Sequence, residues 1–338
     1  MADMITMLNT IRANASAAYQ TRVPEATRDN ITEVGAGVMN HQDSENEFLS
    51  ALVNKIAMTI VRNKTFRNPL SVLKKGSVPL GNNLEEIYTN PANGTTFDPS
   101  GGDLMSRAIP DTKAIYHKLN RKGKYKATIS HAQLIEAFTS YSALEKLLNS
   151  IVNSIYSGDN LDEFMLMKEL FGSAITGGKL KTVNVAKPGD TDTSKEFVKA
   201  IKTVGQAMQF PSSNFNAYYD INKDTDAKPV VTWTPSENQV LLLRNDISVE
   251  VDVELLAKAF NVSYTNLEQR TLIVDGFGSA TNCGAVLCDE SFVQVWDNLT
   301  RMETFNNGDG LYINYFYHHW QTYSLSLFAN AMAFMLSE

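Results

Sequence analysis

The sequence is poor in the residues that build disulfide frameworks and metal sites. Its 338 residues include two cysteines, Cys283 and Cys288, and five histidines. Two thiols supply neither a disulfide scaffold nor a four-cysteine zinc site. We therefore expect a protein of a reducing compartment that uses no metal and no cofactor.

Long apolar runs, a targeting segment and an excess of positive charge are also missing. Residues 310–337 carry no Asp, Glu, Lys or Arg, but their many Tyr, Asn, His, Gln and Ser side chains are disfavoured in a bilayer core. Met1–Arg12 lacks the basic start and apolar run of a signal peptide. The formal net charge of −7 argues against binding nucleic acid through bulk charge. No membrane partner and no specific DNA binding are expected.

The remaining composition is that of an ordinary globular chain, with 43% hydrophobic and 20% charged residues. Capping-box pairs predict helices that start at Ser44, Ser130, Asn160 and Thr193. A further short helix is predicted from Asp252. Strand patterns cover 180–185, 239–243, 271–274 and most of 285–334. Because helices and strands alternate without a regular rhythm, the pattern indicates an α+β fold. Residues 1–43 are expected to form an arm without a core of its own.

The segment 69–129 differs from the rest because turn formers dominate it. Two strand-like pieces, 77–89 and 113–129, predict a long hairpin that must lie on another surface to be stable. Nine basic and five acidic residues give this segment a charge of +4, which leaves −11 for the rest of the chain. A basic hairpin is attracted to the acidic body of another copy. The candidate subunit-contact residues are Lys74, Lys75, Arg121, Lys122 and Lys124.

Three stretches approach ligand-binding motifs without meeting them. Gly172–Leu180 is one residue too long for a P-loop and ends on a residue without a hydroxyl. The stretch 272–278 lacks the third glycine of a dinucleotide fingerprint. Asp220–Asp226 has Thr225 where a calcium loop needs glycine. We expect the first stretch to end a helix, the second to form a turn between strands and the third to form a solvated acidic turn. Weak cation binding stays an alternative for the third stretch alone.

The aromatic cluster between Tyr312 and Tyr323 has two interpretations. Its rings are able in principle to stack on bases, but no Lys or Arg accompanies them in the sequence. Core packing is therefore the preferred interpretation. The adjacent His318 and His319 point to opposite faces of a strand and cannot share a metal ion. Nothing in the sequence assembles an active site, so no enzyme is expected.

A series of short motifs in a fixed order resembles the major capsid proteins of small podoviruses of the phi-29 type, from about Val34 to Phe334. The motifs that carry this resemblance include Asn68–Leu70, Leu73–Gly76, Glu85–Thr89, Leu256–Asn261, Val274–Phe277, Trp320–Thr322 and Phe328–Ala331.

The resemblance implies the α+β fold of tailed-phage capsid proteins, the HK-97-like fold. Laid on this chain, that fold has an N-terminal arm at 1–45, an E-loop at 68–128 and an A-domain at 186–289. The P-domain then takes a helix at 46–67, the segment 129–185 with the spine helix, and closing strands at 290–338.

The same resemblance implies a structural function. We expect a major head protein that assembles into hexamers and pentamers of a bacteriophage shell around double-stranded DNA. Scaffolding protein and portal are the implied partners, and the virion, assembled in the host cytoplasm, is the implied location. An encapsulin-like nanocompartment, which shares the fold, is the alternative.

Overall fold

A computed structural model describes residues 4–59, 66–79, 81, 83–97, 99–102, 105–223, 228–251 and 270–337. The chain divides into two units. Unit 1 comprises Met1–Asn68, Arg121–Glu163 and Asp297–Gln321. Unit 2 comprises Pro69–Asn120, Phe164–Trp296 and Thr322–Glu338.

The N-terminal part of unit 1 is helical and contributes to a core. Its helices are α1 (Met4–Asn14), α2 (Ala17–Arg22), α3 (Ile31–Met39) and α4 (Gln42–Thr59). Buried side chains such as Ile11, Tyr19 and Val38 pack in one cluster with Phe48 and Phe138. The described part of residues 1–43 therefore packs in a core that it shares with later segments, and the assignment of this segment as an arm stays a prediction.

Close helix packing explains why α3 contains glycine. A Cβ atom added at Gly35 would lie 2.5 Å from the Cβ of Phe138, a separation that real side chains do not tolerate. The predicted capping box of Ser44 and Glu47 is wrong, because α4 already begins at Gln42. Glu47 instead accepts hydrogen bonds from the amide and the hydroxyl of Ser16, at 2.5 and 2.8 Å.

Two helices follow the predicted cap at Ser130. Helix α5 (His131–Ala137) has the expected capping box between Ser130 and Gln133. Helix α6 (Tyr141–Thr176) then runs without interruption for 36 residues. The predicted helix start at Asn160 is wrong, because α6 passes through it; the single glycine before it, Gly158, costs only about 1 kcal/mol in a helix, and core packing overrides this cost. The predicted stop at Gly177–Gly178 is confirmed, with Gly178 at φ +66°.

The strands of unit 1 lie side by side in one sheet. Strand β4 (Arg121–Ser130) pairs antiparallel with β10 (Tyr312–Leu325), and its register runs from Ser130 opposite Tyr312 to Arg121 opposite Gln321. Strand β9 (Val293–Asn307) is the other neighbour of β10. The second strand-like piece of the predicted hairpin is thus interrupted after His117, and its later half joins β10.

Unit 2 is built on a five-stranded mixed sheet. Its order is β5 (Lys181–Ala186), β11 (Ala331–Ser337), β8 (Cys283–Asp289), β6 (Gln239–Arg244) and β7 (Thr271–Val274). One face packs on Phe197 and Ile201 of α7 (Thr191–Ala207). The other packs on Phe164, Met167 and Phe171 of α6. Because side chains alternate between two covered faces, the strands read as nearly continuous apolar runs.

The smaller elements of unit 2 complete the chain. They are β1 (Gly76–Ser77), β2 (Leu84–Thr89), β3 (Thr112–His117), α8 (Tyr218–Asn222) and α9 (Asn245–Glu250). The predicted cap of α7 at Thr193 is wrong. Asp190 caps this helix, and Thr193 occupies the third helical position of the capping box. The helix predicted from Asp252 lies outside the described residues.

Both cysteines lie in β8 and are buried free thiols. Burial raises the pKa of Cys283 to about 12 and also raises the pKa of Cys288. Because the thiolate is the reactive form, we expect native protein to incorporate less than about a tenth of the alkylating reagent that urea-unfolded protein does at neutral pH. Mass spectrometry after a short iodoacetamide pulse measures this. Equal labelling of native and unfolded protein would show that β8 opens readily.

Candidate functional site

The hairpin of β2 and β3 is fastened to unit 2 at the end of its strand pair that leads into the tip. Its six residue pairs run from Leu84 opposite His117 to Thr89 opposite Thr112. Just beyond β2, the Asn90 side chain donates to the Pro229 carbonyl oxygen at 2.9 Å and accepts from the Val231 amide at 3.0 Å. The strand pair is therefore held, up to the start of the tip, by hydrogen bonds to residues 229–231 of its own unit.

The tip of this hairpin is exposed at every described residue, 91–97, 99–102 and 105–110. Its described residues form neither helix nor strand. Phe97, Met105 and Ile109 are 86%, 92% and 83% exposed. These large side chains are not buried in the subunit's own core. Exposed apolar residues that occur together in one loop are typical of a contact surface. The tip is thus the first candidate contact surface.

A second candidate surface lies on the outward face of β4 and β10. Three exposed lysines alternate along β4, opposite half-buried residues of β10. We call this surface the lysine face, and its members are Lys122, Lys124 and Lys126 with Trp320, His318 and Phe316. The Lys122 ammonium lies 4.9 Å from the centre of the Trp320 ring. The ammonium groups of Lys124 and Lys126 lie 5.8 and 5.9 Å from the centre of the Phe316 ring.

The inward face of the same two strands packs in the core of unit 1, and it is apolar between Tyr125 and Ile129. Tyr317 lies 4.8 Å from Tyr156 of α6 and 6.3 Å from Tyr125 of β4, measured between ring centres. Ile129 and Tyr315 belong to the same buried cluster. The period-2 alternation of strands thus places core residues on one side and the lysine face on the other.

A buried polar network surrounds His319 on the inward side of β10. Its Nδ1 lies 2.7 Å from an Asp159 carboxylate oxygen of α6, and its Nε2 lies 3.0 Å from an Asp297 carboxylate oxygen of β9. Both ring nitrogens therefore face carboxylates, which is the geometry of a doubly protonated imidazolium. His318, one residue earlier, is half-buried and lies on the lysine face.

Arg121 and Gln321 extend this network across β4 and β10. The Arg121 guanidinium donates to Asp159 at 3.0 Å, to the Tyr125 hydroxyl at 2.6 Å and to the side-chain oxygen of Gln321. The Gln321 amide donates to Glu163 and to Asp297, each at 2.7 Å. Buried charges of this kind are stable only when such partners satisfy them.

Three members of the network have the residue types of a metal site. Glu163, Asp297 and His319 each offer one ligand atom, and these atoms lie within 4.8 Å of one another. However, the protonated ring of His319 has no lone pair to donate to a metal ion. The Glu163 oxygens accept from Asn68 at 2.8 Å and from Gln321. We assign the group to structural ion pairing.

The His319 network makes subunit stability depend on pH. Burial alone would lower the pKa of His319, but its hydrogen bonds to Asp159 and Asp297 outweigh burial and raise this pKa from 6.5 to about 9. The protonated ring therefore stabilises the folded chain fully below pH 6.5, and this stabilisation is lost as the pH rises through 9. The loss is on the order of 3 kcal/mol.

We expect His319→Gln to flatten the pH dependence of the free energy of unfolding between pH 6.5 and 9. Urea unfolding of wild-type and variant subunits across this range measures the difference. His318→Gln is the matched control, since it changes the neighbouring histidine on the lysine face, and it should keep the wild-type slope. A wild-type slope in His319→Gln would show that the ring is not held as an imidazolium.

The five predicted contact residues lie in different surroundings. Lys122 and Lys124 are exposed on the lysine face, whereas the Arg121 side chain is only 10% exposed and is bound within unit 1. Lys74 and Lys75 are half-buried beside β1. The Lys75 ammonium donates to the Glu290 carbonyl oxygen at 2.7 Å. The proposal of subunit contacts through these residues therefore rests chiefly on Lys122 and Lys124.

Sequence reasoning missed Lys126 and the partnership between lysines and aromatic rings. In the sequence, no Lys or Arg accompanies the aromatic cluster. In the structure, three lysines do lie beside it, because β4 pairs with β10. Strict alternation of lysines at 122, 124 and 126 was the available signal. It indicates one charged face of a strand, but it does not reveal which strand lies beside it.

Where the structure describes them, the near-miss motifs are parts of helices and of turns. Gly172 lies inside α6 with its Cα against the Phe277 backbone, where a Cβ would come within 2.4 Å of a carbonyl oxygen. The stretch 275–282 connects β7 to β8 without a helix. Part of Asp220–Asp226 lies outside the described residues. Nowhere in the described ranges is there a helix long and apolar enough to cross a membrane.

Comparison with known proteins identifies the family. Residues 8–335 match the family described as "Phi29-like phage major capsid protein". The major capsid protein of Bacillus phage PZA is 36% identical over 332 residues, which cover 97% of this chain and 72% of that protein. The major capsid protein of Streptococcus phage Cp-1 is 31% identical over 347 residues, which cover 96% of this chain and 92% of that protein.

Solved structures show the same fold at low sequence identity. A chain from the capsid structure of Staphylococcus phage Andhra has a TM-score of 0.64 at 13% identity, covering 82% of this chain and 86% of that one. A chain from a structure of native bacteriophage P68 has a TM-score of 0.61 at 11% identity, with the same coverage. The fold is thus the α+β, HK-97-like fold of tailed-phage capsid subunits.

This chain belongs to the phi29-like phage major capsid protein family. The resemblance, the fold class and the function as a structural major head protein are confirmed. The matched family and the relatives named above are phage capsid proteins, which favours a phage head over the encapsulin-like alternative.

Proposed function

We propose that the chain forms hexamers and pentamers of a phage head that encloses double-stranded DNA. Scaffolding protein and portal are the proposed partners, and assembly takes place in the bacterial host cytoplasm before the protein becomes part of the virion. The DNA is enclosed without specific binding, since the formal net charge of −7 repels phosphate.

The hairpin is the observation that supports this proposal most directly. Its strand pair is fixed next to the tip by Asn90 and Tyr88 to residues 229–231 of its own unit, while the tip exposes Phe97, Met105 and Ile109. A fixed strand pair with an exposed apolar tip suits a segment that reaches a neighbouring subunit. Burying such side chains against a neighbour gains free energy that the isolated subunit does not have.

The division into arm, E-loop, P-domain and A-domain is part of the same proposal. The β2–β3 hairpin falls within the proposed E-loop, 68–128, and α6 falls within the P-domain segment 129–185, which is proposed to contain the spine helix. Strands β10 and β11 fall within the closing segment, 290–338. Because α1 to α3 pack in the core of unit 1, the proposal of overlapping contacts rests on the hairpin more than on the N-terminal segment.

Assembly of the purified full chain tests this function. Sedimentation velocity and negative-stain electron microscopy are run over a range of concentrations, with and without the scaffolding protein of the same phage. We expect closed shells that contain rings of six and five subunits. A chain that remains monomeric in every condition would contradict the proposal. Closed shells that form with an enzyme cargo and have no portal vertex would favour a nanocompartment.

A further inference from the structure

The lysine face concentrates positive charge in an acidic protein. Its strands place Lys122, Lys124 and Lys126 on one side, at positions where they are exposed. The opposing residues of β10 on this side are uncharged or aromatic apart from His318, and the next pair in the register is Thr128 with Asn314. No acidic residue therefore occurs among the paired positions of β4 and β10 that form this face.

The charge of the rest of the chain favours attraction between copies. The formal net charge is −7, and the three lysines contribute +3, so all other residues together sum to −10. An isolated row of positive charges is attracted to a surface of opposite sign, and this attraction both steers encounter and selects the register of contact. In a shell, the most abundant acidic surface near any subunit is that of another copy.

The aromatic rings beneath the lysines favour a protein partner over a nucleic acid. Because ammonium groups lie 4.9 to 5.9 Å from the ring centres of Trp320 and Phe316, a base must displace them to stack on these ring faces. Sequence-independent DNA binding relies on counterion release by many basic residues, and the formal net charge of −7 disfavours it.

We propose that the lysine face docks on an acidic surface of a second copy of this chain. This inference rests on the proposed shell assembly and assigns one contact within it. The contact should weaken with rising salt, because exposed charge pairs are screened over about 10 Å at 0.1 M ionic strength.

The test is a triple charge reversal with a matched control. The variant Lys122→Glu, Lys124→Glu, Lys126→Glu is compared with wild type and with Lys187→Glu, Lys195→Glu, Lys199→Glu, which reverses three exposed lysines of unit 2. We expect the subunit concentration needed for assembly to rise at least about tenfold in the lysine-face variant and to change less than about threefold in the control. Circular dichroism should show the same melting temperature for the monomers.

Restoring charge and changing salt sharpen the test. The variant Lys122→Arg, Lys124→Arg, Lys126→Arg keeps the positive charge and should assemble within about threefold of wild type. Raising salt from about 0.1 to 0.5 M should weaken assembly of wild type more than that of the reversed variant. Equal assembly of the reversed variant and its control would overturn the proposal, even if the shells themselves form normally.

The outcomes separate this inference from the proposed function. If wild-type protein never assembles, the shell proposal fails first. If it assembles and the reversal has no effect, only the lysine-face contact fails. Binding to a duplex of about 30 base pairs, measured at about 150 mM salt, provides a further arm. Loss of duplex binding on reversal, with assembly unchanged, would assign this face to DNA and overturn the proposal.

Discussion

Replacing Arg121 with methionine is expected to lower the free energy of unfolding of the subunit by about 3 kcal/mol or more. The guanidinium lies in the His319 network and donates to Asp159, Tyr125 and Gln321. Asp159 is only 7% exposed, so removal of one cationic partner leaves its carboxylate buried and under-compensated. Methionine keeps much of the volume, which limits the effect of a cavity.

The measurement is urea unfolding of monomeric subunit below the concentration at which it assembles. Lys122→Met is the matched control, because it removes the neighbouring positive charge from an exposed position. This control should change the free energy of unfolding by less than about 0.5 kcal/mol. If both variants unfold at the same urea concentration as wild type, the buried network does not stabilise the subunit. If Arg121→Met loses assembly but keeps the wild-type free energy of unfolding, Arg121 acts in a subunit contact and not in the stability of the subunit.

The contrast between Arg121 and Lys122 shows where sequence reasoning stops. Both residues belong to one run of basic residues, and charge counting treats them alike. The register of β4 against β10 separates them, because it places Arg121 opposite Gln321 on the inward side and Lys122 opposite Trp320 on the outward side. Local pattern predicts that alternate residues face opposite ways. It does not identify a partner strand almost two hundred residues later.

Local signals were reliable where local physics decides the structure. The cap at Ser130, the stop at Gly177–Gly178 and strands β5, β6 and β7 were predicted from caps, turns and apolar runs. Tertiary packing decided the failures. Helix α6 continues through Gly158, where an added Cβ atom would lie 3.5 Å from the Tyr125 ring. The N-terminal helices, with sparse apolar residues, are ordered by a core that later segments complete.

The candidate surfaces divide in the same way. The hairpin tip was predictable, because Gly and Pro punctuation marks a long excursion with few apolar residues. The lysine face and the His319 network were not, since each is assembled from strands and helices far apart in the chain. The lysine face and the His319 network both depend on β10, because its outward residues contribute to the lysine face and its inward residues to the network.

Replacing the three apolar residues of the hairpin tip is expected to abolish shell assembly while leaving the subunit folded. In the variant Phe97→Ser, Met105→Ser, Ile109→Ser, the changed side chains are more than four-fifths exposed, so they add almost nothing to the free energy of unfolding. Each contributes about 1.5–3 kcal/mol if a neighbour buries it fully. Even after the ordering costs of association, we expect the concentration needed for assembly to rise at least about 100-fold.

Sedimentation velocity across a concentration series measures this effect, and thermal melting of the monomer checks the fold. The control variant Val72→Ser, Val249→Ser, Ile273→Ser removes three apolar side chains that are 70%, 84% and 53% exposed elsewhere in unit 2. Its assembly should remain within about tenfold of wild type, since scattered exposed apolar residues are ordinary on protein surfaces. Normal shells from the tip variant would show that the hairpin does not reach a neighbour. A large loss in the control as well would mean that exposed apolar area in general, and not the tip, drives assembly.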